Sequence, residues 1–362
     1  MRKYIVCLLF LPLVLTLSCS RELDLPETEG DLVVLNAILY TDEAQHDVFV
    51  SLSTREGDLP LNDAEVRCTV GSGPAIVAEK TGNSRDKSTR FQFEAEIHPG
   101  DRVRIEAQYE SFRATAEVTA PALPLPTALD TLRADGWMQF ALGVQERPEE
   151  PEEAEYYQLQ LAFRTHTEID EYWRETNPYP DYPEFDFTPG AQKWHAENDI
   201  VEPLPVNLGE DPILNDGYTP QSIIDKYYNT NAGFLFEFSP VNKTRIFSDH
   251  LFQAGNATVR FSTETKNFRM QDHLNRYGYD PWTRYHYRLT RQLIVRLMAL
   301  DEGTWQYLGA VNRVRETIGA NTLLVEPVVI PTNVEGGLGF VGIASAAPIA
   351  LEFPGIDNPD DY

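Results

Sequence analysis

The chain has 362 residues, 42% of them hydrophobic, with 56 acidic and 30 basic side chains and a formal net charge of −26. This length exceeds the usual size of one hydrophobic core, so we expect two domains. Such a negative charge repels nucleic acid and anionic lipid surfaces, which excludes nucleic-acid binding and attachment to a membrane through a basic patch. Aromatic residues form 11% of the chain, which favours β-sheet surfaces over helical bundles.

Residues 1–18 have the pattern of a bacterial export signal. Arg2 and Lys3 are positive, and the apolar stretch Ile5–Leu17 follows, which is shorter than the roughly 20 residues that span a bilayer. Thr16-Leu17-Ser18-Cys19 then resembles a lipobox. We therefore predict a lipoprotein signal peptide with lipid attached at Cys19. An ordinary cleaved secretory signal followed by an incidental cysteine is the alternative interpretation.

The next part of the chain predicts a tether and a first domain. Residues 19–31 are polar and acidic, which is typical of a flexible tether. In residues 32–120 apolar and polar side chains alternate, with turn signals about every ten residues. This pattern predicts a small antiparallel β-sandwich in which each strand buries one face. Cys68 alternates with Val66 and Val70, so we expect it in the core, with a reactive thiol as the alternative.

The proline-rich residues 121–128 predict an extended linker between the two domains. Asp130-Thr131-Leu132 follows it in the sequence. This tripeptide matches the Asp-Ser/Thr-aliphatic pattern on which some Bacteroidota O-glycosylate exported proteins. Thr131 is therefore a candidate O-glycosylation site.

Residues 129–362 predict a larger second β-rich domain. An irregular, partly helical insertion is expected at 168–231, with a short helix over Pro220–Tyr228 that begins after Thr219. The alternation in 284–300 predicts a long strand, and Asp301 has the position of a cap on an amphipathic helix. We expect closing strands at Val325–Ile330 and Gly339–Ala344.

The insertion is rich in aromatic residues and is the candidate binding surface. Tyrosine and tryptophan offer a large rigid contact area with a polar tip, which suits stacking on sugar rings, contact with a peptide or contact with a receptor loop. The alternative is that these rings hold a long loop against the sheet. The candidate residues are Tyr172, Trp173, Tyr179, Tyr182 and Trp194.

The sequence Glu335-Gly336-Gly337-Leu338-Gly339 is the most glycine-rich turn near the end of the chain. A phosphate-binding loop requires a Lys-Ser/Thr pair that enters a helix, and that pair is missing from this sequence. We therefore expect these glycines to provide positive φ or a close approach between backbones.

A set of segments spread along the chain is distinctive when taken together: Leu32–Leu35, His98–Asp101, Leu297–Leu300, Trp305–Leu308, Glu326–Val328 and Asn333–Phe340. Together they resemble a Bacteroidota lipoprotein family, the domain of unknown function 4249. The resemblance covers nearly all of the chain after the signal and is most specific at Asn333–Phe340. It implies an outer-membrane lipoprotein with an immunoglobulin-like or transthyretin-like first domain, often encoded near TonB-dependent receptors, and no assigned active site.

Motifs for catalysis and for metal binding are missing from the sequence. The seven histidines show no zinc-site spacing, and the chain has neither a calcium loop nor a nucleophile elbow. We therefore expect no metal, no cofactor and no catalytic residue. The resulting hypothesis is a non-catalytic binding or accessory module on the outer membrane, beside a TonB-dependent receptor, in nutrient uptake or surface assembly. A glycan- or peptide-directed hydrolase and a structural adhesin are the alternatives, and the sequence leaves the orientation on the membrane open.

Overall fold

The computed structural model describes residues 31–83, 87–147, 154–174, 190–223, 241–265, 283–317 and 328–357. Within these residues the protein is mainly β, with several sheets and a helix near the C-terminal end, which confirms the predicted fold class.

The first part of the chain contains nine strands, most of them short, as the regular alternation predicts. Their bounds are β1 Leu32–Tyr40, β2 Gln45–Thr54, β3 Gly57–Pro60, β4 Glu65–Val70, β5 Ile76–Val77, β6 Glu79–Asn83, β7 Thr89–Glu94, β8 Arg102–Tyr109 and β9 Phe112–Thr119.

The second part contains longer strands and the helix. The predicted long strand is present as β16, and β10 begins inside the predicted linker. The elements are β10 Leu125–Ala134, β11 Trp137–Gln145, β12 Tyr156–Arg174, β13 Gly190–Leu204, β14 Ile246–Ser248, a 3₁₀ turn Asp249–Leu251, β15 Asn256–Glu264, β16 Thr283–Leu300, α1 Glu302–Thr317 and β17 Val341–Asp357.

One ten-stranded sheet runs through both parts of the chain, in the order β13-β12-β16-β17-β1-β2-β7-β6, with β3 beside β2 and β14 beside β12. Strand β17 joins the two parts, because its beginning pairs parallel with β1 at Ala37–Tyr40 and the rest pairs antiparallel with β16. The boundary between two domains near residue 120 stays a prediction. The hydrogen bonds of this long sheet connect strands from both sides of that boundary.

Two smaller sheets cover the long sheet and enclose two separate cores. The first core lies between β1, β2 and β7 of the long sheet and the sheet β5-β4-β8-β9. The second lies between β12 and β16 of the long sheet and the sheet β10-β11-β15. Cys68 is fully buried in the first core, as expected, and burial raises the pKa of its thiol to about 12.

The region 168–231 is more regular than the sequence indicates. Strand β12 continues to Arg174, and β13 pairs antiparallel with it from Gly190 to Leu204. The two strands are held together by backbone hydrogen bonds. Their sequences lack the alternation of apolar residues by which a strand is recognised, so the sequence did not predict this pairing. Residues 221–223 are helical, and the remainder of the expected helix to Tyr228 lies outside the described residues.

The expected strand at Val325–Ile330 is wrong for residues 328–330, which are the part of it that the structure describes. Residues 328–330 form no strand, and the side chains of Val329 and Ile330 are 83% and 49% exposed. A β-rich stretch forms a strand only where a partner covers and pairs with it, and Pro331 removes a donor directly after it. The second expected closing strand is present as β17, which begins at Val341.

Candidate functional site

Most of the side chains singled out in the sequence cannot be placed. Cys19, Tyr179 and Tyr182 lie outside the described residues. Tyr172 and Trp173 belong to β12, where the backbone of Tyr172 pairs with Gln192 and Tyr285 in the neighbouring strands. Trp194 belongs to β13. The side chains of these three residues lie outside the described part, so the aromatic binding surface stays a prediction.

Thr131 lies on β10, a strand at the edge of the three-stranded sheet. It pairs with Phe140 of β11, and its own side chain is exposed. A modifying enzyme can therefore reach the hydroxyl in the folded protein. Glycosylation of Thr131 remains a prediction.

The structure reveals a groove that the sequence did not indicate, on the outer face of β1 and β2 beside α1. Every second residue of both strands, such as Val33 and Val48, points into the first core. The residues between them therefore lie on this outer face. The groove has a volume of about 340 Å³. Its principal lining residues are Asn36, Tyr40, Gln45, Asp47, Phe49 and Tyr307.

The helix α1 forms one wall of the groove. Its first turn is fixed as the sequence predicts, because the Asp301 carboxylate accepts hydrogen bonds from the Thr304 N–H at 2.8 Å and from the Thr304 hydroxyl at 2.7 Å. Tyr307 stacks on Phe340, with ring centroids 4.4 Å apart and an angle of 6° between the planes. The Phe340 N–H donates to Asn36 Oδ1 at 3.0 Å, which ties this wall to β1.

The floor of the groove is formed by side chains of β1 and β2, and β7 lies on the far side of β2. Asn36 of β1 pairs with Phe49 of β2, and Phe49 pairs with Arg90 of β7. One step along the strands, Asp47 accepts hydrogen bonds from Arg90 Nη2 at 2.7 Å and from Gln92 Nε2 at 3.1 Å. The half-buried ring of Phe49 is therefore flanked by amide and carboxylate groups held in fixed positions.

The acidic residues at the groove are paired with arginine. Arg90 neutralises Asp47. Arg296 of β16 contacts Glu43 at 3.0 Å and Asp42 at 2.5 Å, and its guanidinium lies 5.0 Å from the centre of the Tyr40 ring.

Burial shifts the pKa of two titratable rings at the groove towards the uncharged form. Burial is the main cause that lowers the pKa of His46, whose Nε2 lies 3.1 Å from the Ala95 carbonyl oxygen. Burial raises the pKa of Tyr40. Three carboxylates at the groove face two guanidinium groups, so the groove is polar and carries about one excess negative charge.

The segment 333–340, here called the closing segment, connects the C-terminal part to the first core. The Leu35 N–H donates to the Leu338 carbonyl at 2.8 Å, and the Leu338 N–H donates to the Val33 carbonyl at 2.9 Å. On its other side the Thr115 N–H of β9 donates to the Glu335 carbonyl at 2.9 Å. The closing segment therefore joins the two sheets of the first sandwich along one side.

Two glycines make this close approach possible, which confirms their expected structural role. A Cβ on Gly337 would lie 2.4 Å from the Val33 carbonyl oxygen. A Cβ on Gly339 would lie 2.3 Å from the Leu35 carbonyl oxygen, and the φ of Gly339 is +108°. A side chain at either position would therefore separate the closing segment from β1.

A second polar cluster lies between the end of β11 and the beginning of β12. Both oxygens of the buried Glu155 carboxylate accept hydrogen bonds, one from Arg147 and the other from the Tyr157 hydroxyl. The Glu155 N–H donates to Asp249 Oδ2 at 2.9 Å. Burial, followed by the neighbouring carboxylates, raises the pKa of Asp249 and of Glu146. Side chains on both sides therefore hold the Glu155 carboxylate in place.

Among the described residues no group of three or more His, Cys, Asp or Glu side chains is placed to hold a metal ion. In the same part of the chain no helix is both long and apolar enough to cross a membrane.

Comparison with known proteins gives one decisive match. Residues 20–348 match the family model described as Domain of unknown function (DUF4249). The chain belongs to this family. This DUF4249 protein has no match among curated proteins.

Among solved structures, the DUF4249 chain is similar to a DUF4785 family protein from Legionella pneumophila. The match has 11% identity and a TM-score of 0.20, and it covers 73% of this chain and 52% of the other. The DUF4249 chain thus spans about half the length of that protein. A TM-score this low supports no inference about fold or function.

The groove of this DUF4249 protein was missed because its residues occupy strand positions expected to face water. A signal is nevertheless present. Asn36 and Tyr40 in β1, and Phe49 in β2, place aromatic and amide side chains on the face opposite the core. Aromatic rings on an otherwise polar strand face indicate that something covers or contacts that face.

Proposed function

We propose that the protein is a lipid-anchored envelope module that binds a ligand or assists a TonB-dependent outer-membrane receptor, in nutrient uptake or surface assembly. The order of the first segments of the chain is the observation that supports the proposed anchoring. A signal-like sequence, then Cys19 and an acidic tether, lead directly into β1 at Leu32. Since the chain has a net charge of −26, attachment through acyl chains is more favourable than attachment through its surface.

Two further observations support the remainder of the proposal. The groove beside α1 combines half-buried aromatic rings with fixed polar groups, the usual composition of ligand-binding clefts. Membership of the DUF4249 family agrees with the resemblance that suggests a neighbouring TonB-dependent receptor. A module held by a tether of about a dozen residues can reach such a receptor while it stays on the membrane.

The anchoring is tested by metabolic labelling of cells with an alkyne-tagged fatty acid. We expect the wild-type protein to carry the label and to stay in the membrane fraction after a high-salt wash. The Cys19→Ala variant should lose both properties, whereas Cys68→Ala, which changes the buried cysteine, should keep them. Retention of Cys19→Ala in the washed membranes would contradict the anchoring.

The partnership is tested by affinity purification of the full-length protein from membranes solubilised in detergent. We expect a TonB-dependent receptor to co-purify in near-stoichiometric amount. The soluble Cys19→Ala variant should recover much less of it, because anchoring raises the effective concentration of the two partners. If the wild-type protein is recovered without a receptor, the accessory role is wrong.

A further inference from the structure

The groove combines two kinds of surface that few ligands match together. The rings of Phe49 and Tyr307 are half-buried and supply apolar faces, while the amides of Asn36 and Gln45 supply donors and acceptors at the same opening. A pyranose ring has the complementary arrangement, with C–H groups on its faces and hydroxyl groups around its edge. Planar amide and carboxylate groups can hydrogen bond to neighbouring hydroxyls at the same time as a ring stacks.

The charges at the groove favour a neutral ligand over an ionic one. Asp47 is paired with Arg90, and Arg296 is shared by Glu43 and Asp42. An anionic or cationic ligand would have to compete with these ion pairs for a partner. Desolvation of its charge without full compensation would be costly, whereas a polyol can hydrogen bond to the remaining lone pairs of the carboxylates and leave the ion pairs intact.

The dimensions fit a short ligand or the end of a longer chain. A volume of about 340 Å³ is at the lower end of the roughly 300–1,000 Å³ found for ligand clefts. Gln45 and Glu43 at the rim are exposed, whereas Phe340 beneath the wall is 3% exposed. The groove is therefore open on one side and closed at the bottom, so that a longer glycan can extend away from the protein.

We infer that the groove formed by Asn36, Gln45, Asp47, Phe49 and Tyr307 binds a neutral saccharide, with a sugar ring stacked on Phe49. This inference rests on the proposed function as a binding module and specifies the class of its ligand. Gln45 and the remaining lone pairs of the Asp47 carboxylate bind the hydroxyls of the sugar, and Tyr307 closes one side of the site.

The inference is tested with the full-length protein in detergent and a panel of neutral glycans. The probes are starch, laminarin, galactomannan and xylan, used as polymers in native affinity electrophoresis and as oligosaccharides in isothermal titration calorimetry. We expect saturable binding of at least one of them. Polygalacturonate and a lysine-rich peptide serve as charged probes and should bind at least about tenfold more weakly, a difference that corresponds to about 1.4 kcal/mol.

Variants in the groove distinguish stacking from a general loss of structure. Phe49→Leu keeps the apolar bulk without the ring and should weaken binding by about tenfold or more, while Phe49→Tyr keeps the ring and the affinity. Gln45→Ala should weaken binding by about three- to tenfold through the loss of hydrogen bonds. The matched controls are Phe112→Leu, a half-buried phenylalanine on β9, and Gln139→Ala, an exposed glutamine on β11, and both should leave the affinity unchanged.

Three outcomes would overturn the inference. The first is that every neutral glycan fails to bind. The second is that Phe49→Leu and Gln45→Ala bind as tightly as the wild-type protein. The third is that a charged probe binds more tightly than the neutral glycans.

None of these outcomes affects lipid labelling at Cys19 or recovery of a receptor. A failure of the saccharide inference can therefore be distinguished from a failure of the proposed function.

Discussion

The cores of the two sandwiches of this protein are completed in different ways. The core near the N-terminus is built from residues 33–120, but it also contains Val334, Val341 and Ile343 from the far end of the chain. The second core takes its buried residues from 140–297. The first sandwich therefore depends on a distant segment, while the second draws its buried residues from one continuous part of the sequence.

This difference explains where the groove lies. The closing segment and α1 reach the outer face of β1 because β17 pairs with β1 and with β16. The groove thus has a floor from the N-terminal part and a wall from the C-terminal part. A site of this kind forms only when the two parts are assembled correctly, so stability and binding should be affected together by changes at the joint.

The largest expected effect is at Gly339 in the closing segment. Gly339→Ala places a Cβ 2.3 Å from the Leu35 carbonyl oxygen at a φ of +108°. We expect a loss of about 3 kcal/mol or more in the free energy of unfolding, measured by urea denaturation. The control is Gly136→Ala in the β10–β11 turn, which has a φ of +79° but open space, and should cost about 1 kcal/mol. Equal losses in the two variants would mean that crowding against β1 is unimportant.

The second prediction concerns the attachment of α1. Asn312 is fully buried, with its Oδ1 accepting the Thr244 N–H at 2.9 Å and its Nδ2 donating to the Thr244 hydroxyl at 2.8 Å. Asn312→Ala leaves a buried donor without a partner and should cost about 2 kcal/mol. Gln306→Ala, at an exposed position of the same helix, should change the free energy of unfolding by less than about 0.5 kcal/mol. A similar small cost for Asn312→Ala would show that water replaces the lost hydrogen bonds.

The third prediction compares a partly buried ion pair between the two parts with an exposed one. Arg296 is 13% exposed and its partner Asp42 is 20% exposed, so Arg296→Gln leaves a poorly solvated carboxylate. The expected loss is between about 1 and 2 kcal/mol. The pair Arg164–Asp199 is 47% and 41% exposed, and Arg164→Gln should cost less than about 1 kcal/mol. A larger loss of stability in Arg164→Gln than in Arg296→Gln would mean that Arg296 does not hold the two parts together.

The smallest expected effect depends on pH, at Glu146. Burial, Asp249 and Glu155 raise the pKa of this carboxyl above its ordinary 4.5, so the folded protein holds the proton more tightly than the unfolded chain. Stability therefore falls as the pH rises from 4.5 through the raised value, and is unaffected below both. Because solvent screens this partly exposed carboxyl from its neighbours, Glu146→Gln should gain no more than a few tenths of a kcal/mol at about pH 7 and nothing at about pH 4. Thermal unfolding at both pH values measures this, and an equal gain at each would exclude the carboxylate charge as its cause.

Local patterns in the sequence predicted a substantial part of this fold. The alternating strands before residue 120, the long strand β16 and the cap at Asp301 all follow from side-chain periodicity or from the chemistry of one helix terminus. The extension of β12 and β13 could not be predicted from such patterns, because the pairing of these strands comes from backbone hydrogen bonds. The parallel pairing of β1 with β17 is also invisible to such patterns, because nothing local in β1 indicates a partner about 300 residues away.

The groove could be predicted only in part, for the same reason. Phe49 and Asn36 lie on the outer face of the first sandwich. In the sequence they are visible as an aromatic and an amide residue at the strand positions that face away from the core. A groove forms there only with Tyr307, which lies on α1, and Phe340, which lies at the end of the closing segment. Contacts at so large a sequence separation are fixed by the topology of the sheet.

Hydrogen exchange gives the most direct test of the claim that the closing segment belongs to the first core. In the wild-type protein the amides of Leu35 and Leu338 should be protected as strongly as those within the second core. In Gly339→Ala we predict that protection falls together for Leu35, Ala37 and Leu338, while Leu159 and Val295 in the second core keep theirs. Undiminished protection of Leu35 and Ala37 in that variant would contradict the account.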